Sequence, residues 1–238
     1  MSEIAVKERE ETLVEEESVE VNNEIKEDTK VVYKAKFKIY YIFKRLFDIV
    51  CSLLGLIVLS PAFLIIAILI KVDSKGKVIF KHKRIGKNGK IIYLWKFRSM
   101  VSNAKEIMDN WSKERKEEFE KNYKLDDDER ITKIGKFLRK TSLDELPQII
   151  NILKGDMSII GPRPVVEKEL EKFGDYKDKF LSVKPGLTGY WAVNGRSDTN
   201  YEERVQLEIY YVDHCSLWMD IKCFFKTIKV VLLGKGAK

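Results

Sequence analysis

The chain has 238 residues, of which 34% are charged and 45% hydrophobic, and its formal net charge is +7. This length fits one domain with appendages and excludes a large multidomain assembly or a solenoid of many repeats. Three scattered cysteines argue against a disulfide framework or a thiolate zinc site, and two histidines argue against a histidine-rich metal site.

The charge is distributed unevenly along the chain. Residues 1–30 hold 11 acidic and 4 basic side chains, whereas residues 31–238 carry a net charge of +14. The first segment has no aromatic residue and no sustained apolar stripe, so we predict a disordered acidic tail over residues 1–30. The basic remainder predicts an anionic partner, and composition does not choose among nucleic acid, phospholipid headgroups and phosphorylated metabolites.

Residues 49–70 form an apolar run of 22 residues without one charge. As a helix this run would be about 33 Å long, close to the ~30 Å hydrocarbon core of a bilayer. A buried core helix of a soluble protein would usually show a polar face over this length. The run therefore predicts a membrane segment.

Pro61 lies in the middle of this run, where a straight helix would lose a backbone hydrogen bond. Ser60 can bond a freed backbone group and so support a kink. Lysine and arginine flank both ends of the run, and positive charge marks the cytoplasmic side. We therefore predict a re-entrant helix broken at Ser60-Pro61 within residues 31–75, and a kinked single span remains an alternative.

The rest of the chain, residues 76–238, is predicted to form an α+β, mostly helical cytoplasmic domain. An Asn88-Gly89 turn between two β-like stretches predicts a small β-hairpin. Hydrophobic periodicity predicts helices over residues 102–123, 131–138, 146–153 and 201–213. Glycine and proline predict rigid loops over residues 161–164 and 185–195.

The C-terminal run, residues 217–233, has an apolar stripe opposed by lysines. This pattern is typical of an amphipathic helix in a membrane interface. An ordinary helix docked on a soluble core shows the same pattern, so amphipathicity alone leaves both interpretations open.

Two adjacent carboxylates, Asp144 and Glu145, begin a predicted helix in the sequence RKTSLDELPQ. One interpretation is structural, because Ser142 and Glu145 have the spacing of a capping box, although Pro147 fits a start near Asp144 better. The other is chemical. A helix N-terminus with Arg139 nearby lowers the pKa of an aspartate, and an ionised carboxylate can attack a phosphoryl centre. The neighbouring carboxylate could hold a divalent metal ion.

Candidate cations for a phosphate site occur in three further places, namely Lys96 and Arg98, Arg163 between two prolines, and Arg196 after a glycine. The planar guanidinium group suits bidentate phosphate contacts. Each arginine could equally be a solvated surface residue. No P-loop, dinucleotide-binding, GxSxG or paired-histidine pattern is present.

Taken together, the long motifs resemble the bacterial sugar transferases, the monotopic polyprenyl-phosphate phosphoglycosyl transferases, in their short form. The resemblance runs from about Tyr40 to the C-terminus and excludes the acidic tail. The motifs that carry it are KRLFD before the apolar run, SP within it, KFRSM, LRKTSLDELPQ, GDMSIIGPRP, KPGLTGYWAVNGR and YYVD.

The resemblance implies an enzyme of the cytoplasmic (inner) membrane whose catalytic domain faces the cytoplasm. Asp144 would attack the β-phosphate of a UDP-sugar, release UMP and carry the phosphosugar to a polyprenyl phosphate, in the first membrane step of exopolysaccharide, O-antigen or glycoconjugate assembly. Glu145 would be the partner of Asp144, and Mg²⁺ the cofactor, with both carboxylates as its ligands. The remaining positions that match family motifs, and are expected to bind substrate, are Lys96, Arg98, Arg139, Arg163, Arg196 and Asp213.

Tyr190 and Ala192 depart from what many family members carry around Trp191. The sugar is therefore open, with UDP-glucose or UDP-galactose leading and an N-acetylated or diamino sugar as the alternative. Membrane lipid is an expected partner, nucleic acid is not, and a homo-oligomer is left open. Two rival functions are a non-catalytic membrane scaffold that binds anionic lipid and a soluble nucleic-acid binder, which would not explain the apolar run.

Overall fold

The computed structural model of the chain describes the backbone of residues 3–122, 125, 127–196 and 199–232. Side chains are described from residue 38 onward within these ranges, except those of residues 120–122, 231 and 232. The contacts separate two compact units, Met1–Arg45 and Leu46–Lys238. The boundaries predicted at residues 30 and 75 stay predictions.

Helix α1 (Glu3–Asp73) supplies residues to both units. The predicted disordered tail, residues 1–30, falls in its N-terminal part, whose side chains lie outside the described residues, so that tail stays a prediction. Among the described residues, one helical stretch, Lys38–Asp73, is long and apolar enough to cross a membrane, and only 11% of its most apolar window is buried. Such exposure is unlike a core helix, and it supports the predicted membrane segment.

Pro61 lies inside α1, and the helix is assigned as continuous through it. The Ser60 hydroxyl donates a 2.8 Å hydrogen bond to the carbonyl of Ile57, the group that Pro61 leaves without its usual amide donor. The predicted role of Ser60 is confirmed. The break of the helix at this point stays a prediction.

The second unit contains helices around two small sheets. Strands β1 (Ile79–Ile85) and β2 (Ile91–Phe97) pair antiparallel, as predicted. Asn88 and Gly89 in the connecting turn have φ of 56° and 76°. Both values lie in the left-handed region that a tight Asn-Gly hairpin turn requires.

The predicted helix over residues 102–123 is two helices, α2 (Ala104–Asp109) and α3 (Lys113–Asn122). It is followed by α4 (Lys133–Thr141), a 3-10 helix (Leu143–Gln148) and α5 (Ile149–Lys154). Gly155 ends α5 with φ of 86°, a left-handed conformation common after a helix, close to the predicted end at residue 153.

The prediction of a loop over residues 185–195 is wrong in part, because a short strand and a short helix lie within it. Strand β3 (Ser158–Ile160) pairs parallel with β4 (Gly186–Thr188), and α8 (Tyr190–Asn194) follows. Between these strands lie α6 (Glu167–Leu170), a 3-10 helix (Glu171–Tyr176) and α7 (Lys177–Leu181). A Cβ atom on Gly186 would clash with the backbone of Gly161, so the strands approach too closely for any other residue. Three-residue strands with such glycines carry little periodic signal.

Helices α9 (Tyr201–His214) and α10 (Leu217–Leu232) end the described chain, close to their predicted bounds. The inner face of α10 buries Asp220 and Cys223, and Phe224 packs against the core. Its outer face leaves large apolar side chains exposed, namely Leu217, Trp218, Ile221, Phe225 and Ile228. The helix is thus docked on one side and has an unpartnered apolar face on the other.

Candidate active site

Asp144 and Glu145 lie in the first turn of the 3-10 helix Leu143–Gln148. Ser142 joins this helix to α4 with φ of 58°, a left-handed conformation that costs a non-glycine residue about 1–2 kcal/mol. The Ser142 side chain makes no cap hydrogen bond to the helix. The capping-box interpretation is therefore wrong, because the turn at Ser142 directs its hydroxyl elsewhere.

The Ser142 hydroxyl accepts a hydrogen bond from Arg196. Its Nη2 donates to Ser142 Oγ at 2.7 Å, and Arg196 itself has φ of 51°. Two non-glycine residues with strained, left-handed backbone conformations are thus in contact beside the carboxylates. Strain of this kind is commonly found at functional sites.

Glu145 is held by two cations. Lys96 Nζ lies 2.7 Å from its Oε1, and Arg163 Nη1 lies 3.7 Å from the same oxygen. Burial by itself raises the pKa of this carboxyl group, but Lys96, Arg163 and Arg196 outweigh it and lower the pKa of Glu145 to about 2. Glu145 is therefore a fixed anion at neutral pH.

Asp144 behaves in the opposite way. Its side chain is buried, and burial raises its pKa, with the charge of Glu145 adding to the rise and Lys96, Arg139 and Arg163 opposing it. The expectation that the helix N-terminus and Arg139 would lower the pKa of Asp144 is wrong, because removal from water outweighs these charges. A carboxylate that is poorly solvated makes a more reactive nucleophile than one that is paired and hydrated.

Arg139 reaches the site from α4. Its Nε donates to Ser99 Oγ at 2.9 Å, and its charge acts on Asp144. A Cβ on Gly135 would lie 2.1 Å from the Ser99 carbonyl oxygen, so only glycine lets α4 come this close to the segment after β2. This close approach fixes Arg139 beside the carboxylates.

The structure does not bring Arg98 or Asp213 into this arrangement. Arg98 is buried and donates to the carbonyls of Ile70, Ser74 and Lys75, at the C-terminal end of α1. Asp213 is 40% exposed and pairs with Lys179 at 2.6 Å. Lys96, Arg139, Arg163 and Arg196 are the predicted cations that do surround the two carboxylates.

An open cleft lies beside Glu145. Its walls include two residues that the sequence analysis did not select, Arg84 and Gln148. His82 is a third residue that the sequence analysis did not select. Burial and the charges of the surrounding cations lower the pKa of its imidazole to about 3, so the ring is neutral. A signal for His82 and Arg84 was available, because the hairpin register places alternate β1 residues on the same face as Lys96.

The carboxylates could hold one divalent cation. No cluster of three or more His, Cys, Asp or Glu side chains suited to a metal occurs within the described ranges. Mg²⁺ is commonly held by one or two carboxylates together with substrate phosphates. Asp144 and Glu145, next to a cationic cleft, fit that donor set.

Chemically, the site combines a buried carboxyl group, a fixed anion and four surrounding cations, and Glu145, Lys96 and Arg163 line the cleft beside it. A phosphate-rich ligand would be attracted by the cations. The buried carboxylate of Asp144 could then approach a phosphorus atom whose surrounding negative charge the cations offset.

Comparison with known proteins identifies the family. The profile of the bacterial sugar transferases matches residues 39–234. This chain belongs to the bacterial sugar transferase family. The match includes the apolar segment, Lys96, the Asp144-Glu145 pair and Arg163.

Individual relatives agree with this assignment. An undecaprenyl-phosphate galactose phosphotransferase of Salmonella typhimurium is 48% identical over 197 residues, covering 82% of this chain and 41% of the relative. The exopolysaccharide production protein ExoY of Sinorhizobium fredii is 44% identical, covering 82% of this chain and 87% of the relative. A UDP-glucose:undecaprenyl-phosphate glucose-1-phosphate transferase of Escherichia coli is 40% identical, covering 82% and 41% respectively. The chain thus spans about four-tenths of the length of the two phosphotransferases.

Proposed function

We propose that this chain transfers a sugar 1-phosphate from a UDP-sugar to undecaprenyl phosphate and releases UMP. The observation that carries the proposal is the buried Asp144 beside the ionised Glu145, with Lys96, Arg139 and Arg163 around them. The relatives named undecaprenyl-phosphate galactose phosphotransferase and UDP-glucose:undecaprenyl-phosphate glucose-1-phosphate transferase support the reaction and favour a hexose.

In the first step, a carboxylate oxygen of Asp144 attacks the β-phosphorus of the UDP-sugar. The bond from this phosphorus to the bridging oxygen breaks, and the oxygen leaves with UMP. The product is a mixed anhydride between Asp144 and the sugar phosphate. Lys96 and Arg163, which converge on Glu145, would offset the negative charge of the diphosphate.

In the second step, an oxygen of undecaprenyl phosphate attacks the phosphorus held on Asp144. The acyl phosphate bond breaks, so that the carboxylate is regenerated and the lipid carries a diphosphate-linked sugar. Both steps move a phosphosugar and need no external oxidant or reductant. The products of the two steps are UMP and the lipid diphosphate sugar.

Mg²⁺ fits the two carboxylates and, when bound, would supply positive charge to the substrate diphosphate. The chain's own contribution is to keep Glu145 ionised through Lys96 and to keep water away from Asp144. These two roles follow from the distances and the burial described above.

The membrane arrangement forms part of the proposal. Near one end of the apolar run, the Asp48 carboxylate accepts hydrogen bonds from Ser158 Oγ and the Ile159 amide at 3.0 and 2.9 Å. Near the other end, Asp73 accepts from the Ile134 amide at 3.1 Å. Because both ends contact the same folded unit, a re-entrant segment on the cytoplasmic face is favoured over one that crosses the bilayer. The exposed apolar face of α10 supports its place in the same interface.

The reaction is tested by nucleotide release from the purified full chain with Mg²⁺, undecaprenyl phosphate and a panel of UDP-sugars. We expect UMP from the wild type and none from Asp144→Asn. Asp175→Asn, the same change at an exposed position, is the matched control and should keep full activity. Release of UDP, or UMP release unchanged in Asp144→Asn, would contradict the proposed chemistry.

The intermediate is tested by omitting the lipid. With a UDP-sugar labelled at the β-phosphate, the wild type should retain label on the protein, and hydroxylamine should remove it as expected for an acyl phosphate. Asp144→Asn should retain no label. Label that resists hydroxylamine would indicate a different nucleophile.

The topology is tested with single cysteines placed in residues 1–30 of a variant lacking Cys51, Cys215 and Cys223. A re-entrant segment keeps these positions inside, so an impermeant thiol reagent should label them only after the cells are opened. Labelling in intact cells would indicate a span.

A further inference from the structure

Arg163 lies in a segment that has very few main-chain donors. Pro162 and Pro164 have no N–H group, so the Arg163 amide is the only donor in three consecutive residues. The acceptor of that amide is Glu208 Oε1, at 3.0 Å. Glu208 comes from α9, 45 residues further along the chain.

The other fixed points of this segment are backbone contacts. Gly161 donates to the Thr188 carbonyl at 2.9 Å, Pro162 accepts from the Gly186 amide at 2.8 Å, and Val165 accepts from the Ile85 amide at 2.9 Å. Glu208 is therefore the one side chain among these contacts, and it binds at the residue whose guanidinium approaches Glu145.

Glu208 lies where a carboxylate is costly. It is 1% exposed, on a helix face whose other buried members include Val205, Ile209 and Val212. Its Oε2 has no hydrogen-bond partner among the described residues. Burying an acid with one oxygen unpaired is strongly unfavourable, so its presence calls for a function beyond packing.

Resting on the proposed function, we infer that Glu208 is a positioning residue that holds the main chain of Arg163 so that its guanidinium reaches the substrate diphosphate. The charged groups that face Glu208 are Arg163 from the loop and Arg204 from its own helix. Arg204 lies over the Trp191 ring at 4.7 Å, and Arg163 lies over the same ring at 6.0 Å. Glu208 thus binds the main chain of Arg163, while the guanidinium of the same residue approaches Glu145.

The test is a double-mutant cycle between Glu208→Leu and Arg163→Ala, measured as kcat/KM for UMP release. Glu208→Leu removes the acceptor and should lower kcat/KM about 10- to 100-fold, since small displacements of a positioned group have effects of this size. In the Arg163→Ala background the same change should cost less than about threefold, because no guanidinium remains to be misplaced. An equal loss in both backgrounds, or no loss in either, would overturn the inference.

Glu208→Gln provides the rescue arm. Glutamine keeps an oxygen that can accept from the Arg163 amide, so its kcat/KM should stay within about threefold of the wild type. A Gln variant as impaired as the Leu variant would contradict positioning through this hydrogen bond. Glu202→Leu, an exposed glutamate on the same helix, controls for the loss of an acid from α9. Where Glu208→Leu fails to fold, Glu208→Asp replaces it in the cycle, because the shorter side chain retracts the carboxylate from the amide.

A binding readout separates this inference from the proposed function. The same double-mutant cycle is measured as the dissociation constant for UDP, because binding of UDP needs no turnover. Non-additive losses in UDP affinity would support the positioning of Arg163 even where no UMP is released. If the losses in UDP affinity are additive and the wild type does release UMP, the inference about Glu208 is overturned and the proposed function stands.

Discussion

Glu145 and Glu208 both contact Arg163, the first at its guanidinium and the second at its main-chain amide, yet their pKa values move in opposite directions. Burial raises the pKa of each carboxyl group. At Glu145, Lys96 and the nearby arginines outweigh burial, and the pKa falls to about 2. At Glu208, burial outweighs the backbone amide of Arg163 and the charges of Arg204 and Arg163, and the pKa rises to about 7.

The difference between these two pKa values shows which kind of contact controls the ionisation of a buried carboxyl group. Lys96 donates directly to Glu145 at 2.7 Å, which is a charge-assisted hydrogen bond. Glu208 has one hydrogen bond from a neutral amide and, within the part of the chain that the structure describes, none from a guanidinium. Nearby positive charge is therefore less effective than a cation in direct contact.

The largest expected effect comes from removing that contact. Lys96→Met leaves Arg163, at 3.7 Å, as the remaining ion-pair partner of Glu145 among the described residues, so the pKa of Glu145 should rise, and UMP release should fall about 100-fold or more. Lys90→Met, at an exposed lysine of the same hairpin, should change the rate little. Activity within a few fold of the wild type in Lys96→Met would show that the cation is not needed.

The second prediction concerns stability against pH at Glu208. Its pKa is about 7 in the folded chain against 4.5 for the ordinary carboxyl group, so the folded state binds the proton more tightly than the unfolded state. Between pH 4.5 and 7 the wild type should lose stability as pH rises, by about 3 kcal/mol in total. Glu208→Gln has no such group, so the difference in unfolding free energy between the two proteins should grow over that range. A difference that stays constant from pH 4.5 to 8 would contradict the prediction.

The third prediction uses Asp48, a buried carboxylate that accepts hydrogen bonds from a hydroxyl group and a backbone amide. Asp48→Ala leaves the Ser158 hydroxyl and the Ile159 amide without this acceptor and should lower the free energy of unfolding by about 2–3 kcal/mol. Asp48→Asn keeps one acceptor oxygen and should lose less. Chemical denaturation in detergent measures both variants. Equal stability of Asp48→Ala and the wild type would show that these contacts contribute nothing.

The smallest effect is expected at the exposed pair of Lys179 and Asp213. Their charged atoms are 2.6 Å apart, but both side chains are about 40% exposed. Asp213→Asn should therefore change stability by less than about 1 kcal/mol and leave UMP release within about twofold. A tenfold loss of activity would instead support the substrate contact expected for Asp213 from the family resemblance.

Local pattern predicted several elements well. The hairpin, α9, α10 and the end of α5 follow from turn residues, hydrophobic period and a C-terminal glycine. The paired strands β3 and β4 were missed, because each is only three residues long and has glycine or proline at or next to its ends. The break between α2 and α3 was missed too, since the apolar spacing of Ala104, Ile107 and Trp111 continues through it.

At the site, the sequence predicted which types of residue take part, but it did not predict which of them contact one another. The sequence indicated Asp144, Glu145 and the cations Lys96, Arg139, Arg163 and Arg196. Arg98 looked equivalent to Lys96, two positions earlier, yet it bonds the end of α1. A signal for Glu208 existed, since it is the one acid in the stripe formed by Val205, Ile209 and Val212, but that spacing does not show what the carboxylate meets.

The sequence by itself determined the apolar run with basic flanks, the adjacent carboxylates and the supply of arginine and lysine around them, because these depend only on residue type and order. The tertiary structure alone decided in which direction the pKa of each buried carboxyl group moves, which arginines line the cleft, and that Glu208 accepts a hydrogen bond from the Arg163 amide. These outcomes depend on burial and on distances of a few ångströms between residues far apart in the chain. Electrostatic interactions change steeply with both.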